Sequence, residues 1–224
     1  MVAVVILFLL SACASPDLED DLLPSEASET LAAARAGSPK AMEAIGEFFH
    51  YGNAGVVPNL PLAFQWYQAA AEAGLSSSQT YVGMFYADGI GGVDRDCGES
   101  TKWFLRASEN GDESGASLNN AAWMLSTCTD PKYRDGHRAI ELSQKAIKIG
   151  GRLSAFVGTL AAAHAEIGDF HQAVALQKES IWQLQFEQPA KKDYVRAEVL
   201  LKSYSGNKPW RGVLFVNPES FGMQ

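Results

Sequence analysis

The sequence predicts an all-α fold, a right-handed α-solenoid of stacked antiparallel helix pairs. Three observations carry that expectation. The stretch "WYQAAAEAG" at residues 66–74 returns as "WFLRASENG" at residues 103–111, with Trp, Ala, Glu and Gly in the same four places. Trp66 and Trp103 are thus 37 residues apart, a period in the range of stacked-repeat proteins. The same register links Gly46 to Gly83, Phe49 to Tyr86, Gly52 to Gly89 and Val56 to Val93. From about Ser25 the chain also reads as successive amphipathic helices with short turns. Each helix pair has an apolar side too wide to cover alone, so neighbouring pairs must stack.

The elements follow in order. Val2 to Leu10 is an unbroken apolar run, too short for a membrane-spanning helix of about 20 residues but of the right length for the core of a secretory signal. Leu10-Ser11-Ala12-Cys13 resembles the bacterial lipobox, in which the cysteine is lipidated and becomes the mature N-terminus. Residues 1–12 are therefore expected to be a lipoprotein signal peptide with Cys13 the lipidated residue. Residues 13–24 read as an acidic tether, because "ASPDLEDDLLP" is too charged and proline-punctuated to bury itself. Ser25 to Gly37 is a lone second-type helix, since Ala33 and Gly37 fall one period before Ala70 and Gly74; it caps the open end of the stack. Two full units follow. Their second helices close at Gly74 and Gly111, glycines placed to end helices. After Gly111 the period changes while helix pairs continue, and a last helix over about Lys191 to Tyr204 covers the final face. Residues 206–224 form an irregular tail.

These residues resemble the Sel1-like repeat. That family carries Leu-Gly and Tyr-x-x-Gly on a first helix and Ala-x-x-Trp-Tyr-x-x-Ala-Ala with a closing Gly on a second. Here Ile45-Gly46 and Val82-Gly83 take the Leu-Gly place, Tyr86-x-x-Gly89 follows the second, and Ala63-x-x-Trp66-Tyr67 and Trp103-Phe104 with Ala107 mark the second helices. Phe49 stands where the family has Tyr, and Ser100 where it has Ala. The resemblance spans residues 25–111. Residues 112–205 resemble tetratricopeptide repeats instead, with Leu160, Ala161, Gly168-Asp169, Phe170 and Ala173 in matching places, although His164 and Gln177 replace aromatic residues. On the stacking argument Trp66 and Trp103 are core residues.

The chain has 18 Lys and Arg against 26 Asp and Glu, a net charge of −8. With no basic run, nucleic acid and anionic membrane surface are excluded as main partners. No catalytic residue, metal site or cofactor is expected. The four histidines, His50, His137, His164 and His171, fall on separate elements, and Glu47 to His50 is a single Glu-x-x-His, half of what a carboxylate di-metal site requires. "GIGGV" at residues 89–93 lacks the Gly-Lys-Ser/Thr of a phosphate loop and reads as an inter-helix turn. Cys97 and Cys128 are a candidate disulfide in an oxidising compartment, against the alternative of two buried thiols.

Function is expected on the concave face lined by first helices. Counting from Gly46, that face includes Glu43, Glu47 and His50, and in the third unit Asn119 and Trp123. The asparagines at 119 and 120 serve equally as inter-helix hydrogen-bonding groups. The expected role is a membrane-anchored scaffold or adaptor of the bacterial cell envelope, binding a protein or peptide of that envelope and no small-molecule substrate. The lipid anchor points to the outer membrane, facing the periplasm. The alternatives are an envelope hydrolase or transferase on a helical scaffold, which needs a polar cleft, and a structural subunit of an envelope complex.

Overall fold

In the computed structural model, residues 22–187 and 189–212 are described, and among them are ten α-helices and no strand. After a 3₁₀ turn at Ser25–Ala27, α1 runs Ser28–Arg35. It is followed by four helix pairs, α2 (Pro39–Tyr51) with α3 (Leu60–Glu72), α4 (Ser76–Asp88) with α5 (Cys97–Glu109), α6 (Ala116–Thr127) with α7 (Gly136–Gly150), and α8 (Ser154–Glu166) with α9 (Phe170–Leu184). A final helix, α10, runs Lys191–Ser205. Each helix packs on the one before it, α1 on α2 included, and α6 packs on α8 as well. The result is an all-α solenoid.

Local chemistry explains the boundaries. Every second helix begins on an Asn or Asp whose side chain accepts a hydrogen bond from a backbone N–H of the first turn. Asn59 accepts from Leu62 at 3.2 Å, Asp96 from Glu99 at 3.0 Å, Asp135 from Arg138 at 3.0 Å and Asp169 from Gln172 at 3.1 Å. Such a cap is worth about 1 kcal/mol. The first helices end differently. Gly52 and Gly89 follow α2 and α4 at φ 70° and 68°, left-handed backbone in which a side chain is strained.

One further bond fixes how each pair folds back. The N–H of the capping residue donates to a carbonyl ten residues earlier on the first helix. Asn59 donates to Phe49 at 2.7 Å, Asp96 to Tyr86 at 2.9 Å and Asp135 to Leu125 at 2.9 Å. The third pair thus keeps the closure of the first two although the period of 37 has lapsed. The fourth turns more tightly, with Asp169 donating to His164, five residues back, at 2.9 Å.

Within a pair, a glycine of the first helix lies against an aromatic ring of the second. A β-carbon added at Gly46 would stand 2.9 Å from the Tyr67 ring, and one at Gly83 2.7 Å from the Phe104 ring. Ser100, which replaces the expected alanine, is fully buried and donates its hydroxyl to the Gly83 carbonyl at 2.8 Å, so the polar atom is satisfied. Two apolar clusters run along the stack. One joins Leu31 and Ala34 to Phe85, and the other runs from Ala87 through Phe104, Trp123, Met124 and Leu160 to Tyr204. Trp66 is buried in the first, at 4% exposure. Trp103 only packs against it and is partly exposed, its indole facing the Arg106 guanidinium 5.1 Å away. The shared register of the two tryptophans therefore does not give them equal burial.

The chain beyond α10 folds back along the ends of earlier helices. Trp210 packs on the second cluster, Arg211 pairs with Glu166 at 2.5 Å, and the Gly212 N–H donates to the Thr127 carbonyl at 3.0 Å. Gln177 stands where an aromatic residue was expected. It is 1% exposed and donates its amide to the Ala197 carbonyl of α10 at 3.2 Å, which ties the last helix to α9.

Candidate interaction surface

The first helices lie side by side and touch through polar side chains. The Ser77 and Ser78 hydroxyls, in the first turn of α4, donate to the Glu43 carboxylate of α2 at 2.5 and 2.6 Å. The Tyr51 hydroxyl donates to Tyr81 at 3.4 Å, and the hydroxyls of Thr80 and Ser117 lie 2.9 Å apart. Glu43 and Glu47 are partly exposed, and neither makes an ion pair among the described residues. Burial, and then the Glu43 carboxylate one turn away, raise the Glu47 pKa.

His50 is placed otherwise than its position on the helix suggested. It is 7% exposed, its ring stacked on Tyr51 at 4.3 Å and met edge-on by Phe85 at 5.4 Å, Tyr67 at 5.8 Å and Tyr81 at 6.0 Å. Its Nδ1 is 3.2 Å from the Tyr67 hydroxyl. Burial pulls its pKa down to about 4, so the imidazole is neutral at physiological pH. His50 therefore holds the aromatic cluster together beneath the surface. The surface position belongs to Tyr51, 46% exposed. Helical spacing carries the reason, since residues 43, 47 and 51 step by four along one face whereas His50 lies a quarter-turn inward.

Asn119 and Trp123 are buried as well, at 7% and 5% exposure. The Arg196 guanidinium of α10 lies 6.0 Å from the Trp123 ring centre, and Leu200, Tyr204 and Trp210 join the same cluster. The first-helix face is thus covered at the third unit and open at the first two. At the open part a groove of about 670 Å³ is lined by Ser77, Thr80, Tyr81, Met84, Ser114 and Ser117. Tyr51, Tyr81 and Met84 are surface residues the sequence alone did not single out. The four-residue step from Glu47 would have found the first.

Cys97, the first residue of α5, and Cys128, just past α6, form a disulfide with Cα atoms 6.2 Å apart. Among the described residues no group of three or more His, Cys, Asp or Glu is arranged to hold a metal, and no helix is long and apolar enough to cross a membrane. Cys13, the expected lipidation site, lies outside the described residues.

Stacked, Asx-capped helix pairs with a ring-on-glycine contact define a helical-repeat protein. The chain carries three Sel1 repeats, matched by the family model described as Sel1 repeat over residues 39–75, 76–112 and 121–150. The third match falls where the sequence register had changed, and it is the pair that keeps the ten-residue closure. A solved Sel1 repeat protein from Oxalobacter formigenes superposes with a TM-score of 0.56 at 23% identity, over 70% of this chain and 63% of that one. The structure of c5321, a protective antigen present in uropathogenic Escherichia coli strains and displaying an SLR fold, gives a TM-score of 0.45 at 19% identity, over 86% of this chain and 49% of that one. The chain therefore spans under two thirds of either protein's length. No curated protein matches it at a significant level. Solenoids of this class serve generally as scaffolds for protein–protein interaction rather than as catalysts.

Proposed function

We propose that this protein is an adaptor of the bacterial cell envelope, anchored through a lipidated Cys13, that holds a protein or peptide partner on the first-helix face of its first two units. The observation that carries the reading is the pair Glu43 and Glu47, two neighbouring carboxylates that make no ion pair among the described residues, beside the exposed ring of Tyr51. A Lys or Arg side chain of a partner offsets the cost of keeping those carboxylates partly buried and close together, and it stacks on the tyrosine face. The adjoining groove supplies hydroxyls for main-chain contacts and Met84 for an adaptable apolar one. The membrane half of the reading rests on Leu10-Ser11-Ala12-Cys13 after an apolar run.

Each half has its own test. Glu43→Lys with Glu47→Lys is expected to abolish partner capture from a membrane extract; capture at the wild-type level overturns the assignment of the face. Intact-mass spectrometry of protein purified from membranes is expected to find a chain beginning at acylated Cys13. A full-length, unacylated mass removes the anchor and sends the partner search to the cytoplasm.

A further inference from the structure

A second groove, of about 780 Å³, lies on the other layer of the solenoid, between the length of α5 and the segment that leads into α7. Its lining holds Lys102, Arg106, Lys132, Arg134 and Arg138, in a chain with only 18 Lys and Arg and a net charge of −8. Among the described residues the lining holds the carboxylates of Glu109 and Asp135, and Asp135 is engaged in capping α7 through the Arg138 N–H. The described lining thus carries more cations than carboxylates, the reverse of the chain as a whole.

The five cations are not equally committed. Arg134 is structural, donating to Glu166 and to the Cys128 and Thr129 carbonyls. Lys102 pairs with Glu99 at 3.2 Å and Lys132 with Asp130 at 3.1 Å, both ammonium groups on largely exposed side chains and both carboxylates on partly exposed ones. Exposed pairs of this kind add little to stability and are readily exchanged for a partner's carboxylate. Arg106 and Arg138 are exposed and make no ion pair among the described residues; Arg106 instead rests on the Trp103 face. Between them Leu105, Leu125 and Tyr133 supply an apolar floor. Two guanidiniums without an ion pair among the described residues, two exchangeable ammonium groups and an apolar floor match a short segment that carries both carboxylates and apolar side chains.

We propose that this groove is a second docking surface, and that its occupant is an acidic peptide segment of a partner protein. Charge complementarity selects the occupant in two ways. The positive lining is confined to a single repeat boundary, which suits a short acidic stretch. A nucleic acid, with about one charge per 1.7 Å of duplex, would extend beyond it into the field of a chain whose net charge is −8. The proposal goes beyond the reading of Glu43 and Glu47, which select a basic partner on the other layer. The two surfaces can therefore fail separately.

The test is fluorescence anisotropy of the full chain with a short labelled Glu/Asp-rich peptide containing one Leu and one Phe. Wild-type protein is expected to bind it with an affinity that falls as salt rises. Arg106→Glu with Arg138→Glu is expected to weaken binding by about tenfold or more, and Arg106→Gln with Arg138→Gln by less. Glu43→Lys with Glu47→Lys is expected to leave binding intact. No binding to wild type, or equal binding by the Arg106→Gln, Arg138→Gln protein, overturns the proposal. So does tighter binding of an oligonucleotide of equal charge.

Discussion

Replacing Gly83 by alanine sets two effects of known sign against each other. In an open helix the change stabilises, because glycine in a helix interior costs about 1 kcal/mol relative to alanine. In this structure the added β-carbon would stand 2.7 Å from two Phe104 ring atoms and 3.1 Å from a third. That distance is one real β-carbons do not occupy, and Phe104, fully buried, has little room to retreat. Overpacking of this kind costs about 1–3 kcal/mol, and the hydroxyl of Ser100 on the Gly83 carbonyl constrains the same turn. The upper part of that range wins over the propensity gain, so Gly83→Ala is expected to destabilise by about 1–2 kcal/mol net. The comparison with two other glycines sharpens it. Gly46 would place its β-carbon 2.9 Å from the Tyr67 ring, whereas one at Gly158 would come no closer than 3.3 Å, to the Ser180 hydroxyl. Urea unfolding followed by helical circular dichroism should therefore rank the variants Gly83→Ala, Gly46→Ala, Gly158→Ala from least to most stable, the last near wild type. Combining Gly83→Ala with Phe104→Leu should recover part of the first loss beyond what the single changes sum to. If Gly83→Ala were as stable as wild type, the ring-on-glycine contact would not be what sets the spacing of the helices in a pair.

Three further outcomes follow from named contacts. Trp66→Ala should cost about 3–5 kcal/mol, and Trp103→Ala clearly less because its indole is partly exposed; equal urea midpoints would contradict the difference in burial. Burial, opposed by the nearby Arg95, lifts the Asp88 pKa from 3.8 to about 6. A carboxyl with its folded pKa above the unfolded value contributes stability below about pH 4 that is lost as pH rises through 6. Asp88→Asn should thus raise the melting temperature at pH 8, by the equivalent of roughly 1–2 kcal/mol, and leave it unchanged at pH 4; a gain that does not vary with pH would refute the cause. The Cys97–Cys128 bond closes a loop of sequence separation 31, so reduction should lower stability by about 3–4 kcal/mol in the chain-entropy model; equal thiol labelling of native and reduced-denatured protein would show that no bond is present.

The helices were legible because the repeat writes each one twice. Gly46 and Gly83 carry the same ring contact, and Asn59 and Asp96 the same cap, so a period of 37 fixes turns as well as helices. Legibility ended where contacts depend on distant sequence. Trp123 occupies a first-helix position, yet α10, some seventy residues later, and Trp210 after it join the cluster in which it is buried. No local pattern around Trp123 reveals this. The misplacement of His50 is of another kind. Its neighbour Tyr51 has the surface spacing, and a polar residue facing inward becomes intelligible only when Tyr67 and Phe85 close around it.

That same closure makes the two ends of the solenoid functionally unequal. From the third unit onward the first-helix face is filled by the chain itself, through Leu200, Tyr204 and Trp210 on the second core cluster and Arg211 on Glu166. A partner approaching that face therefore meets only the first two units, where the carboxylates of Glu43 and Glu47 lie. The other layer presents its cations at the junction of the second and third units, around Arg106 and Arg138. The two exposed surfaces thus differ in sign and in layer, while the disulfide joins α5 to the end of α6 at the same junction as the basic one. The bond thus ties the second unit to the third at the junction that carries the basic groove. On the proposed reading, a basic partner on the acidic face and an acidic segment in the groove are carried by adjoining repeats of one chain.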